Sequence, residues 1–280
     1  MSSATSAQLA DHELFPWTQE AFDSLVSSQA RQAHAYLLAG HSGLGKKTFA
    51  IQLAKSMLCQ TETAIACGSC QSCRLFDSGT HPDLHVLQSE KRSVEVDDVL
   101  ASYATRYLED ESKRKKRKKP SAVIAIDQVR KVIPDINSRP HLAECRIVII
   151  NGAEDLNINA ANSLLKSLEE PPADSFFLLI SHDPGRLLPT IRSRCLRIDF
   201  RVPEKQQALA WLSRQLAGRA DASVLLEAAS GIPLRALMLA DADEKSTEQQ
   251  VKKSLIQLAE GKLHPVTACA ELIKKVRASL

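Results

Sequence analysis

The chain has 280 residues, 44% apolar and 25% charged, enough for two or three domains around a substantial core. No apolar run approaches the ~20 residues of a membrane-spanning helix. The opening "MSSATSAQLADHELFPW" lacks the basic flank and apolar core of a secretory signal, so the expectation is a cytoplasmic protein with no membrane partner.

In chain order, "YLLA" (36–39) predicts a buried strand, and "GHSGLGKKT" (40–48) follows it. The P-loop pattern G-x-x-x-x-G-K-[S/T] is met by Gly40, Gly45 and Lys46. It fails at Lys47, which replaces the hydroxyl that would hold Mg²⁺ against phosphates. Gly40, Gly43 and Gly45 let the backbone wrap an anion, with amide N–H groups and the N-terminus of a helix over Lys46–Leu58 pointing inward. Lys46 would meet the β/γ-phosphates. Thr48 carries a hydroxyl but lies about 100° further round the helix. The loop reads as a phosphate cradle with a damaged metal site.

"CQTETAIACGSCQSC" then places Cys59, Cys67, Cys70 and Cys73 in two successive C-x-x-C steps after a leading cysteine. Two-residue spacing lets neighbouring thiolates converge on one tetrahedral Zn²⁺, with Cys59 arriving from the preceding helix end. Disulfides are the alternative, disfavoured in a cytoplasmic chain, and four thiolates also suit iron. Four protein ligands leave no open position, so the metal would be structural. Cys145, Cys195 and Cys269 read as core or boundary residues.

"LHVLQ" (84–88) predicts a second strand. The insertion that follows, around 91–120, reads as a long surface loop and contains Lys113, Arg114, Lys115, Lys116, Arg117, Lys118 and Lys119. Without these seven charges the net charge of +3 becomes −4. Such a block is either a solvated insertion or an arm that contacts nucleic-acid phosphates without sequence preference. A helix is expected after Asp127, kinked or stopped at Pro134. "IVII" (147–150) predicts a third strand, followed by Asn151 and Gly152 where P-loop ATPases hold Mg²⁺ and polarise water with carboxylates. Glu154 and Asp155 come three and four residues too late. Two losses at one site predict a chain that does not hydrolyse ATP by itself, and ATP or ADP binding is not among the expectations.

Asn159 is expected to cap a helix with Ala161, Leu164, Leu165 and Leu168 on one face, stopped by Pro171 and Pro172. "FFLLIS" (176–181) and "LRIDF" (196–200) complete the strands. Nearly continuous apolar runs imply a parallel sheet covered on both faces, with the P-loop strand near its centre. After Phe200 only helical periods remain. A polar stretch at 241–250 precedes two amphipathic segments, which cannot enclose a core between them. The fold class is α/β.

"FPW" (15–17), "HAYLLAGHSGLGKKT", the C-x₇-C-x₂-C-x₂-C cluster, "THPDLHVL", "NAANSLLKSLEEPP" and "LLPTIRSRC" occur together and in order. Over roughly residues 15–240, apart from the insertion, this set resembles the delta-prime subunits of the bacterial DNA polymerase III clamp loader, of the AAA+ family. The resemblance implies an AAA+ P-loop domain over 1–201, with a zinc module at 59–73 and the basic insertion at 91–120. It implies a helical lid over 202–243 and, at 244–280, only the beginning of the helical collar domain that family members carry. It further implies a non-catalytic subunit working with gamma/tau-type ATPase subunits and the delta subunit to load a sliding clamp onto primed DNA. In such loaders the "SRC" motif of one subunit reaches the nucleotide of the next. Here it is Ser193, Arg194 and Cys195, with Arg194 as the trans arginine finger. Ser181 and His182 stand where ATP-hydrolysing relatives carry γ-phosphate-sensing threonines, and Arg235 falls one position later than their arginine. The competing readings are a self-sufficient P-loop ATPase using Thr48 and a displaced carboxylate, and a zinc-bearing non-specific DNA-binding module.

Overall fold

The apolar runs of the first two hundred residues form one parallel sheet in the computed structural model, which describes residues 14–26, 33–61, 63, 65–95, 98–109, 114, 119–218 and 221–244. Strands β1 (Ala35–Ala39), β2 (Leu84–Gln88), β3 (Arg146–Asn151), β4 (Ser175–Ser181) and β5 (Leu196–Asp199) lie in the order β2-β3-β4-β1-β5. The P-loop strand is therefore interior, with Leu37 opposite Leu179 of β4 and Arg197 of β5.

All of β1, β2 and β3 is buried, and so is β4 except Phe176. The expected two-sided cover fails at β5, where Leu196 is 49% exposed. Its sequence alternates apolar and charged residues, as suits an edge strand, and Arg197 pairs with Asp199 at 2.7 Å on one face.

Helices α1 (Gln19–Val26), α2 (Lys46–Leu58), α3 (Gln71–Asp77), α4 (Glu90–Glu95), α5 (Val99–Ala104), α6 (Ile126–Asn137), α7 (Ile158–Glu169) and α8 (Pro189–Arg192) surround the sheet. Phe49 of α2 meets Phe22 of α1 and Phe200 edge-on. Val129, Val132 and Ile136 of α6 and Ala160, Leu164 and Leu168 of α7 share one core with Val148, Ile150 and Leu179.

Three expectations need correction. The cap of α7 is Asn157, whose side chain accepts the Ala160 N–H at 2.8 Å, so the helix begins before Asn159. Of the kink or stop expected at Pro134, the stop does not occur, since α6 runs to Asn137. The proline removes one N–H, but Val132 and Ile136, buried completely on either side of it, keep the turn packed. The insertion is not a bare loop: α4 and α5 occupy its first part, and Leu100, Tyr103, Ala104, Tyr107 and Leu108 are buried. Of the basic run, Arg114 is half-buried and Lys119 exposed; Lys113, Lys115, Lys116, Arg117 and Lys118 lie outside the described residues.

The segment joining α6 to β3 is held by two buried charges. The Asp83 carboxylate accepts the N–H groups of His141 (2.6 Å), Leu142 (2.7 Å) and Ala143 (2.9 Å). The Arg146 guanidinium donates to the carbonyls of Ile136, Ser138 and Arg139.

From Pro203 the chain forms a second compact unit. Helices α9 (Lys205–Leu216), α10 (Ala222–Ala228) and α11 (Pro233–Glu244) bury Trp211, Leu212, Leu216, Leu226, Ile232 and Leu237. Asp221 caps α10 through the N–H groups of Ser223 and Val224. Beyond Glu244, the expected collar lies outside the described residues. Among the described residues, no single helix is long and apolar enough to cross a membrane.

Burial alone would raise the Asp83 pKa, but its three backbone donors outweigh burial and hold it below the ordinary 3.8. A depressed carboxylate pKa contributes stability that is complete above the ordinary value and is lost as pH falls through the folded-state value. Asp83→Asn leaves backbone donors without acceptors. It should cost about 1–3 kcal/mol at neutral pH and flatten the acid limb of stability against pH, measured by urea titration between pH 2 and 7. Equal stability of the two proteins would show that the clasp contributes nothing.

Candidate functional site

The loop after β1 is tight for reasons that can be read residue by residue. Gly40 has φ of +147°, and a Cβ there would stand 2.3 Å from the Phe200 carbonyl oxygen. Gly45 has φ of +87°, and a Cβ would meet the Phe15 ring at 2.4 Å. Phe15 stacks on Trp17 at 5.0 Å between centroids, and the indole N–H donates to the Leu44 carbonyl at 3.0 Å. The "FPW" segment is thus a clasp over the loop.

Lys46 turns inward. It is 2% exposed, and its Nζ donates to the carbonyls of Gly40 and His41, both at 2.6 Å. Burial pushes its pKa from 10.5 to about 8, with Glu154 acting in the opposite direction. Lys47 turns to Asp98, at 2.7 Å, and the same carboxylate caps α5 through the Ala101 N–H. The residue at the hydroxyl position is therefore committed to an ion pair with the insertion. Thr48 is buried.

At the end of β3, Asn151 donates from Nδ2 to Gln88 Oε1 at 2.8 Å. Gly152 has φ of +82°, and a Cβ there would lie 2.3 Å from Arg92 Nε. Arg92 crosses this glycine and binds Asp155 (2.7 Å) and Glu154 (3.1 Å). Glu154 also accepts the His182 backbone N–H. The His182 imidazole is pushed down to about 4 by burial and by the nearby charges of Lys46 and Arg92. The structure thus gathers Gly40, Gly45, Lys46, Asn151, Gly152, Glu154 and His182 at the C-terminal edge of the strands. Sequence reading missed Arg92, Asp98 and Gln88. Arg92 and Asp98 lay in the segment read as a loop, and a Gly152 that leaves room for a guanidinium has no sequence signature.

The four clustered cysteines converge. Their sulfur atoms all lie within 4.8 Å of one another, with Cys59 Sγ 3.7 Å from Cys73 Sγ and 3.9 Å from Cys70 Sγ. Cys59 caps the end of α2, and Cys70 caps α3. Backbone N–H groups of Cys67, Cys70 and Cys73 point at Cys59, Cys67 and Cys70 sulfur respectively, at 3.3–3.4 Å. Donors at Ser69 and Cys70 pull Cys67 down to about 5, whereas burial pushes Cys73 up to about 12. Four thiolates this close repel one another unless a cation sits among them, so the set could hold a metal ion. All four are free thiols. Of the remaining cysteines, Cys145 is buried, Cys195 is half-buried with its thiol pushed up to about 12, and Cys269 lies outside the described residues.

Arg194 stands elsewhere. It immediately precedes Cys195 and β5, and β5 begins with Leu196 opposite Tyr36, near the start of β1. The loop follows Ala39 at the other end of that strand, so Arg194 and the cradle lie at opposite edges of one sheet. Arg194 Nη2 pairs with Glu169 at 2.5 Å, and Nη1 donates to the Thr190 carbonyl at 2.9 Å.

A family model described as DNA polymerase III, delta subunit, matches residues 18–204. The chain is 37% identical over 252 residues to the DNA polymerase III subunit delta' of Pseudomonas aeruginosa, covering 89% of this chain and 66% of that protein. It is 32% identical over 245 residues to the subunit delta' of Escherichia coli, covering 86% and 65%. With the subunit tau of Escherichia coli it shares 30% over 243 residues, covering 84% and 33%. The chain therefore spans about two thirds of the length of these delta' relatives. The matched range of the family model spans the sheet, the loop and the cysteine cluster, and with these relatives it shows that the chain belongs to the DNA polymerase III delta-prime family.

Proposed function

We propose that the chain acts in DNA replication as a non-catalytic clamp-loader subunit. It would stand beside gamma/tau-type ATPase subunits and the delta subunit, in a cytoplasmic complex that loads the sliding clamp onto primed DNA. Its units would be an AAA+ domain over 1–201, a lid over 202–243 and a collar segment over 244–280. Arg194 would complete the ATP site of a neighbour by stabilising charge on the transferring phosphoryl group.

The observation that carries this reading is the division of the sheet. Arg194 sits at the edge away from the chain's own cradle, which supports a role toward the phosphate of a neighbouring subunit. The cradle supports the non-catalytic half. Lys46 is bonded to two loop carbonyls, Lys47 is paired with Asp98, and Arg92 covers the two carboxylates nearest the site. The cysteine set supports a structural Zn²⁺ held by Cys59, Cys67, Cys70 and Cys73, which would tie the end of α2 to α3.

The isolated chain should show no Mg²⁺-dependent ATP turnover. In a loader reconstituted with its catalytic partners and primed DNA, Arg194→Ala should slow hydrolysis at the site it completes by about 10³-fold, the low end for an arginine finger, with assembly intact by gel filtration. Unchanged hydrolysis would leave only a scaffolding role, and turnover by the chain alone would make it an ATPase.

Elemental analysis should find one zinc per chain. Cys70→Ser should release it and lower the melting temperature, because ligand binding and folding are coupled at such sites. A metal-free preparation of equal stability would remove the metal from the account, and iron in its place would change the ion.

A further inference from the structure

We propose that Glu169 is a positioning residue for Arg194: its carboxylate and the Thr190 carbonyl hold the guanidinium ready at the wall of an open depression. The inference rests on the reading of Arg194 as the residue that completes a neighbour's site.

The two side chains come from different elements. Glu169 is the last residue of α7, which gives way to Pro171 and Pro172, whereas Arg194 follows α8. α8 packs on α7 through the buried Ile191, which belongs to the same core as Leu164 and Leu168. This places the carboxylate beside the arginine.

A free arginine side chain samples many rotamers, and a group that must meet a phosphate in trans loses that freedom on contact. Here it is already lost. Nη1 donates to Thr190 O at 2.9 Å and to Ser193 Oγ at 3.3 Å, while Nη2 binds Glu169 Oε1 at 2.5 Å and keeps a second N–H. The depression beside it, about 460 Å³, is lined by His34, Leu168, Glu169, Ser193 and Arg194. His34 is fixed there by a 2.8 Å bond between Nε2 and the Leu168 carbonyl.

The pair is neither sealed nor fully solvated, with Arg194 32% and Glu169 47% exposed at the side chain. An incoming phosphate can therefore reach the guanidinium while the carboxylate keeps its grip. The contact to Oε1 is an ion pair, while the directional hydrogen bonds come from Nη1, so the charge of Glu169 does the holding and neither glutamine nor alanine should replace it.

The test is ATP hydrolysis by the reconstituted loader with primed DNA, comparing wild type, Glu169→Ala, Glu169→Gln, Arg194→Ala and the Glu169→Ala/Arg194→Ala double variant. Assembly and melting temperature are checked for each. Glu169→Ala should lower kcat at the site served by about 10-fold, within the range for a misplaced group, with KM for ATP little changed. Glu169→Gln, which keeps the shape without the charge, should fall nearly as far. The double variant should be no slower than Arg194→Ala alone. Wild-type kcat in Glu169→Ala, or an equal fall with and without Arg194, would overturn the positioning role while leaving the Arg194 reading standing. If Arg194→Ala itself is silent, that reading fails and this inference fails with it.

Discussion

A buried ammonium must find acceptors, and at Lys46 this requirement organises the C-terminal edge of the sheet. With 2% of the residue exposed, the charge is kept by the carbonyls of Gly40 and His41. Those carbonyls can turn inward because the neighbouring glycines permit the backbone to fold over. Glu154 offsets part of the desolvation. Glu154 in turn needs a closer partner, and Arg92 provides it across a Gly152 that has no side chain to block the way. Lys46, Glu154, Asp155 and Arg92 thus find polar partners within the chain at the C-terminal edge of the strands. A phosphate entering the loop would have to draw Lys46 off two short hydrogen bonds to a charged donor, each worth about 1.5–3 kcal/mol.

That pairing gives the glycines and the lysine a structural role of their own. A loop of this geometry positions the N-terminus of α2, and α2 buries Phe49 against Phe22 and Phe200. Replacing the loop would disturb the core on that side of the sheet. The backbone shape of the loop is thus under structural demand from the core that α2 builds. At the opposite edge the demand differs. Arg194 and Glu169 are partly exposed and contribute little to stability, as exposed ion pairs do. The arginine is nonetheless held by three partners, Glu169, the Thr190 carbonyl and the Ser193 hydroxyl.

Much of this was legible in the sequence. β1 to β4, the helix over Lys46–Leu58 and the convergence of four cysteines follow from apolar runs, a glycine-rich turn and two-residue spacing, all of them local signals. The failures were non-local. The cap of α7 moved from Asn159 to Asn157 because either asparagine satisfies the pattern, and only the packing of Ala160 and Ala161 decides the register. Pro134 survives inside α6 because the apolar face holds the helix on both sides of it. The insertion around 91–120 reads as a loop because the short helices of its first part, with Leu100 and Tyr103, and the turn with Tyr107 carry too few turns to show a period. That misreading hid Arg92 and Asp98, the two residues that neutralise the site.

The cysteine module is also joined to the sheet by a polar relay that residue spacing could not reveal. Ser72, between Cys70 and Cys73, donates to the Leu58 carbonyl at the end of α2. The His81 Nδ1 accepts the Asp83 N–H at 3.1 Å, so in the neutral ring the proton resides on Nε2, which donates to Ser72 Oγ at 2.7 Å. Burial lowers the His81 pKa and favours that neutral form. Asp83 then clasps the segment entering β3. The "THPD" segment thus links the cysteine cluster to β2 and β3 through one histidine and one aspartate. A module of this size has too little apolar area to fix its own orientation, and the relay supplies what the missing core would have done.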